Sequence, residues 1–201
     1  MTIKDAKLNF IIDNATELFL NKGINNVTIK DIALAIEIGE ATIYRYFSKK
    51  HNIVLAVAIK LETDVYKNYF VFEKEKSGYD RLYSFYHSYL KIFKEHQNFY
   101  KFLSEFDSFV LTLDEVSLVD YEKGLAPFYE SFIKSYNDGI NDNTIKEVED
   151  IDRFYYTTTH ALLGLCKKLS VSDGLLDQDK LINSIDEIQT LVNIIMYNLK
   201  K

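Results

Sequence analysis

Apolar residues recur at steps of three and four along most of the chain, the period of helices packed on one side. In residues 3–22 the stripe is Ile3, Ala6, Phe10, Ile11, Ala15, Leu18 and Phe19. Lys22-Gly23 closes it, with Gly23 suited to the left-handed position past a helix end. After a short loop, Thr28 reads as an N-cap, with Asp31 three residues on as its capping-box partner. Ile29, Ile32, Ala33 and Ile36 face inward on this short second helix. A tight turn at Ile36-Glu37-Ile38 leads into a third helix, from about Gly39 to Phe47, with Ile43 and Phe47 on its core side. A fourth helix is expected from Lys49 or Lys50 to about residue 75. Further helices are expected at about 78–96, 98–112, 116–138, 148–171 and 178–199. Breaks are placed at Ser77-Gly78, near Asn137-Asp138-Gly139 and at Ser170–Gly174. Pro127, inside an apolar-periodic segment, is expected to start or kink a helix.

The pattern predicts an all-α chain of about nine helices, and composition agrees. One Pro and seven Gly in 201 residues are too few for a chain built from hairpins. Hydrophobic residues make up 47% and charged residues 27%, enough for a core and a soluble surface. The single Cys166 has no internal partner for a disulfide, which fits a reducing compartment. The first residues mix charges into the apolar stripe, unlike a secretory leader. No segment approaches the roughly 18 uncharged apolar residues of a membrane span. A cytoplasmic protein is the expectation.

The first fifty residues carry helix, turn, short helix, turn, short helix, which is helix-turn-helix organisation with the third helix as the reader. Net charge is −6 overall, yet residues 1–50 hold seven Lys+Arg against six Asp+Glu, so the acidity lies elsewhere. On the third helix, Thr42, Tyr44, Arg45 and Tyr46 point largely outward. Exposed tyrosines beside an arginine are unusual on a plain solvated face. A phenolic hydroxyl suits a phosphate oxygen, and Arg suits a phosphate or a base edge. Plainer roles exist in and around this stretch: Thr28 caps a helix in any reading, Lys50 suits a solvated surface, and Tyr46 suits packing under the fourth helix.

These residues carry a resemblance to the TetR/AcrR family of bacterial repressors, over roughly residues 8–60. Its best part is Thr28-Ile29-Lys30-Asp31-Ile32-Ala33, then Gly39-Glu40-Ala41-Thr42-Ile43-Tyr44-Arg45-Tyr46-Phe47, then Lys50 and Ile53. The resemblance implies that Thr28, Thr42, Tyr44, Tyr46 and Lys50 anchor phosphates. It implies that Glu40, Ala41 and Arg45 face bases and that Gly39 opens the helix against the backbone. Glu37 stands where the family often has Gly, so a positive φ there would cost about 1 kcal/mol. The implied division is a DNA-binding domain at 1–50 and a regulatory domain at 51–201, which binds a small molecule and dimerises.

Residues beyond 50 support both implied roles, unequally. The chain has fifteen Tyr and fourteen Phe, most of them beyond residue 50, which favours an aromatic core, or an aromatic-walled pocket for an apolar or planar ligand. The pocket candidates are Tyr86, Tyr89, Phe93, Phe106, Phe128, Phe132 and His160. Thr157, Ala161, Gly164 and Lys168 form a stripe of mostly small residues, and Ile185, Ile188, Val192 and Ile195 an apolar stripe on the last helix. Together these predict a four-helix bundle about a two-fold axis with a second copy. The alternative is an all-α small-molecule carrier or enzyme without DNA binding. No two of His51, His87, His96 and His160 stand at i, i+4, and no Gly-rich phosphate loop or Cys cluster occurs. No metal or cofactor is therefore expected. A carrier would leave Tyr44, Arg45, Tyr46 and Lys50 unexplained.

Overall fold

The computed structural model describes residues 2–72, 76–113, 118–171, 177 and 181–201. Nine α-helices are found among them: α1 Ile3–Lys22, α2 Ile29–Ala35, α3 Glu40–Tyr46, α4 Lys50–Tyr69, α5 Gly78–Glu95, α6 Gln97–Val110, α7 Val119–Asn141, α8 Ile151–Val171 and α9 Ser184–Leu199. The chain divides into two compact units. One comprises residues 1–63 and 101–124, the other 64–100 and 125–201. The unit boundaries therefore fall inside α4, α6 and α7.

Local chemistry accounts for the helix starts in the first unit. Thr2 and Asp5 form a reciprocal capping box on α1, and Thr28 and Asp31 form another on α2. Each box satisfies backbone N–H groups that the first turn of a helix leaves without partners. Gly23 ends α1 at φ +85° and ψ 154°, so the positive φ expected there is present in an extended rather than left-handed form. The turn between α2 and α3 puts Glu37 at φ +55°, the strained value anticipated for this position. Ile11, Ala15, Phe19, Ile24, Val27, Ile32, Ile43, Ile53, Val54, Val57 and Ala58 bury the core of this unit.

In the second unit α5 packs against α8 and α9, and α8 against α9. Its core is largely aromatic. Phe70 meets Phe85, Tyr89 and Phe128 edge-on at centroid distances of 5.1, 5.6 and 4.8 Å. Phe132 meets Phe85 and Tyr155 at 5.6 and 4.9 Å. Offset and edge-on pairs of this kind add about 0.5–1.5 kcal/mol each beyond burial.

Three expectations need correction. Helix α4 stops at Tyr69, short of residue 75, because Phe70 turns into the aromatic core. Of the two outcomes expected at Pro127, the helix start is the one overturned, since the residue lies inside α7. The turns before it are mostly exposed, so water can take the carbonyl left without a donor. No break occurs at Asn137-Asp138-Gly139, since α7 continues to Asn141. Gly139 serves close packing: a Cβ on Gly78 would lie 2.0 Å from the Gly139 backbone nitrogen, and one on Gly139 would lie 2.3 Å from Ile145 Cδ1. Asp142 then accepts from the Gly78 N–H at 2.7 Å, and Thr144 from the Tyr79 N–H at 3.2 Å, so the loop after α7 caps α5. The expected break at Ser170–Gly174 is met by the end of α8 at Val171, and residues 172–174 lie outside the described residues.

Two outcomes follow for stability in urea. Glu37→Gly should raise unfolding free energy by about 1 kcal/mol, because it removes the left-handed penalty, partly offset by unfolded-state entropy. A loss of stability would show that the Glu37 side chain is needed. Gly78→Ala should cost about 2–3 kcal/mol despite a better helix propensity, because the added methyl meets backbone.

Candidate nucleic-acid interface

Helix α3 is seven residues long and is held from beneath by Ile43, which is fully buried, and by Phe47, which caps its end. With that face committed, Glu40, Ala41, Tyr44 and Arg45 are exposed, while Thr42 and Tyr46 are half-buried. Glu40 and Tyr44 share one line of the helix, Ala41 and Arg45 the next. The Arg45 guanidinium carbon lies 5.5 Å from the Tyr46 ring centroid, a cation–π contact that steadies the side chain without using its N–H donors. Gly39 is the N-cap of α3, makes no side-chain cap and leaves open space around its Cα.

Beside α3 lies an open cleft of about 430 Å³, lined by Thr28, Ile29, Lys30, Glu40, Tyr44, Ser48, Lys49 and Lys50. It joins the starts of α2 and α4 to one flank of α3. The candidate residues are thus brought together in part. Thr28, Glu40, Tyr44 and Lys50 share the cleft, and Ala41 and Arg45 stand exposed on the neighbouring line of α3.

Two supposed phosphate anchors have other partners. The Thr28 hydroxyl donates its proton to the Asp31 carboxylate at 2.6 Å and accepts from the Asp31 N–H at 3.2 Å. These bonds from Thr28 hold the Asp31 carboxyl below its ordinary pKa. Lys50 donates to the Ile24 carbonyl at 2.5 Å, and its Nζ lies 5.8 Å from the Phe109 ring centroid. Burial pulls its pKa down, against the opposing pull of Asp31 and Glu105.

Glu105 completes that arrangement. Its carboxylate accepts from the Ile24 N–H at 2.5 Å and lies against Gly23, where an added Cβ would be 2.7 Å away. Both polar groups of the buried Ile24 are therefore held by side chains of opposite charge. Sequence reasoning missed Glu105, which is 81 residues from Ile24 and carries no local signal. It also passed over Lys30, Ser48 and Lys49, although a second lysine at the start of α4 was visible.

The remaining candidates lie elsewhere. Tyr86, Phe93, Phe128 and Phe132 are buried in the aromatic core of the second unit, and Tyr89 is half-buried at its edge. The Tyr86 hydroxyl bonds Thr158 at 2.7 Å, and burial pushes its pKa well up. His160 is exposed, 5.9 Å from the Tyr156 ring. Phe106 belongs to the first unit, where it stacks on Phe102 and meets Tyr121 at 5.0 Å. On α8, Thr157, Ala161, Gly164 and Lys168 are all exposed. On α9, Ile188, Val192 and Ile195 are buried within the unit and present no surface to a partner, and Ile185 is half-buried. That assignment is corrected: the exposed apolar side chains of α9 are Ile194 and Tyr197, on the opposite face.

Comparison with known proteins points the same way as the geometry. Residues 11–57 match the family described as bacterial regulatory proteins, tetR family. Residues of this chain are 38% identical, over 77 positions, to the biofilm operon icaADBC HTH-type negative transcriptional regulator IcaR of Staphylococcus aureus strain Newman. That match covers 37% of this chain, and the chain spans only 41% of the length of these curated relatives. A crystal structure of a bacterial regulatory protein in the tetR family from Rhodococcus RHA1 superposes with a TM-score of 0.68 at 14% identity, covering 100% of this chain and 98% of that one. A protein from Saccharomonospora viridis crystallised with choline superposes with a TM-score of 0.67 at 20% identity, covering 95% and 96%. At such identities the solved structures speak for the fold alone. Residues 11–57 thus carry the helix-turn-helix of the tetR family of bacterial regulatory proteins, set in a fold shared along nearly the full length of the chain.

Proposed function

We propose that this chain is a sequence-specific DNA-binding transcription regulator that acts as a homodimeric repressor and leaves its operator when a small molecule binds. The observation that carries the reading is the exposed flank of α3. A short helix held rigidly by Ile43 and Phe47 presents Ala41, Tyr44 and Arg45 to the outside, beside a cleft lined by three lysines. Such a helix fits a major groove, with Arg45 placed for a guanine edge and the cleft placed for the backbone. The similarity to a negative regulator favours repression over activation.

Dimerisation is supported by the stripe on α8. Thr157, Ala161 and Gly164 leave no bulk on an exposed helix face, and nothing lies within 4 Å of where a Gly164 Cβ would be. A mid-helix glycine costs about 1 kcal/mol, so its place on an open face suits close approach by a helix of a second copy. Tyr156 on α8, and Ile194 and Tyr197 on α9, add exposed apolar area for such a contact. For the ligand, the aromatic core around Tyr86, Tyr89, Phe128 and Phe132 is the natural wall, and a small apolar or aromatic compound the natural class. The choline in the Saccharomonospora protein supports a small-molecule site within this fold. Residues 1–50 would then be the DNA-binding module and 51–201 the regulatory one, with α4 the segment that carries the chain from the first to the second. Ligand binding would shift the population toward dimers whose two reading helices no longer match successive grooves.

Titration of the purified chain against the duplex upstream of its own gene, with a scrambled duplex as control, tests the reading. Preference for the native duplex and steep salt dependence are expected. Equal affinity for the two duplexes would remove the claim of sequence specificity. Gly164→Arg should convert the dimer to a monomer in sedimentation while leaving helix content unchanged, because the site has room for a side chain and Arg favours helix over Gly. A dimer that survives this change would place the interface elsewhere.

A further inference from the structure

Lys49 and Lys50 are neighbours at the start of α4, yet the structure treats them differently. Lys50 is half-buried, donates to the Ile24 carbonyl at 2.5 Å and faces the Phe109 ring. To reach a phosphate it would have to abandon that bond. A carbonyl of a fully buried residue would then lose a donor, and Glu105 would lose its counter-charge. Thr28 is similarly committed. A phosphate oxygen only accepts, and the single Thr28 hydroxyl proton already goes to Asp31.

The other polar side chains of the cleft are uncommitted. Lys30, Tyr44, Ser48 and Lys49 make no hydrogen bond or ion pair among the described residues, and Lys30, Tyr44, Ser48 and Lys49 are all exposed. Three lysines against Glu40 leave the lining with a net charge of +2. Because Lys50 is turned toward Ile24, the two ammonium groups without a hydrogen bond among the described residues are those of Lys30, on α2, and Lys49, just before α4, which line the same cleft. With the Ser48 and Tyr44 hydroxyls they provide four donor side chains that make no hydrogen bond among the described residues, although Lys30 lies within the field of Asp31 and Glu40 shares the lining.

We propose that the cleft seats one DNA backbone phosphate, held by Lys49 and Lys30 with Ser48 and Tyr44, and that Lys50 is withdrawn from DNA as a positioning residue. The proposal rests on the DNA-binding reading above and departs from the residue assignment that the family resemblance implies. Lys50 and Glu105 together clamp Ile24, which fixes the loop before α2 and thereby the wall that carries Lys30.

The test uses the full chain and the upstream duplex, with affinity measured by fluorescence anisotropy across a series of KCl concentrations and melting followed in parallel. Lys49→Ala and Lys30→Ala should each weaken binding and flatten the slope of log affinity against log salt by about one, with melting unchanged. Lys50→Met should lower the melting temperature and leave the slope as in the unaltered protein when assayed well below its melt. Glu105→Gln should copy Lys50→Met, reporting on the clamp without removing a cation. A slope flattened by Lys50→Met but not by Lys49→Ala would overturn the proposal while leaving DNA binding intact. Failure of the unaltered chain to bind any duplex would instead sink the DNA reading, and this proposal with it.

Discussion

The hold on Ile24 is the interaction on which the front of the molecule depends. Helices α2 and α3 have seven residues each, too short to be stable alone. Their position relies on buried contacts from Ile29, Ile32 and Ile43, and on the loop that delivers the chain into α2. That loop turns at Gly23 and is pinned at the next residue from both sides, by Glu105 at the N–H and Lys50 at the carbonyl. Charge-assisted bonds are stronger than neutral ones, and here both close on one peptide residue in a partly buried setting. The clamp joins α6 and the start of α4 to the segment before α2, so the geometry of the cleft depends in part on Glu105, far from it in sequence.

The second unit depends on a different constraint, the fit of aromatic rings around α5. Phe70, Phe85, Phe128, Phe132 and Tyr155 meet mostly edge-on, and this arrangement needs α5 and α7 to approach closely. Gly78 and Gly139 permit the approach, with the two backbones almost in contact. The loop that follows turns back to cap α5 through Asp142 and Thr144. A core so rich in aromatics has the composition that a ligand pocket would also have, so composition alone does not separate the two roles. Burial narrows the choice. Tyr86 and Phe132 are fully enclosed and act first as core, whereas Tyr89 stands at the edge.

Much of this was legible in the chain. The spacing of apolar residues placed the nine helices found among the described residues, and capping at Thr28 was readable because it is local, whereas the positive φ at Glu37 was anticipated only through the family resemblance. The exposed flank of α3 could be read from Ile43 and Phe47 four apart. The last helix was misjudged for a related reason: periodicity says that Ile188, Val192 and Ile195 share a face, and cannot say whether that face meets its own chain or another copy. The structure assigns it to the monomer core and leaves the small-residue stripe of α8 exposed.

By itself, then, the sequence determined the elements, the cap at Thr28 and the residues available near α3, because these follow from interactions a few residues apart. Tertiary structure decided how those residues are used. Gly139 looked like a break and is a packing contact, since the neighbour that demands it, Gly78, is 61 positions earlier. Lys50 looked like an exposed cation and is a structural donor, since its acceptor, Ile24, and the partner carboxylate, Glu105, come from separate parts of the chain. A side chain's chemistry is written at its position, but which partner satisfies it depends on groups that only folding brings within bonding distance.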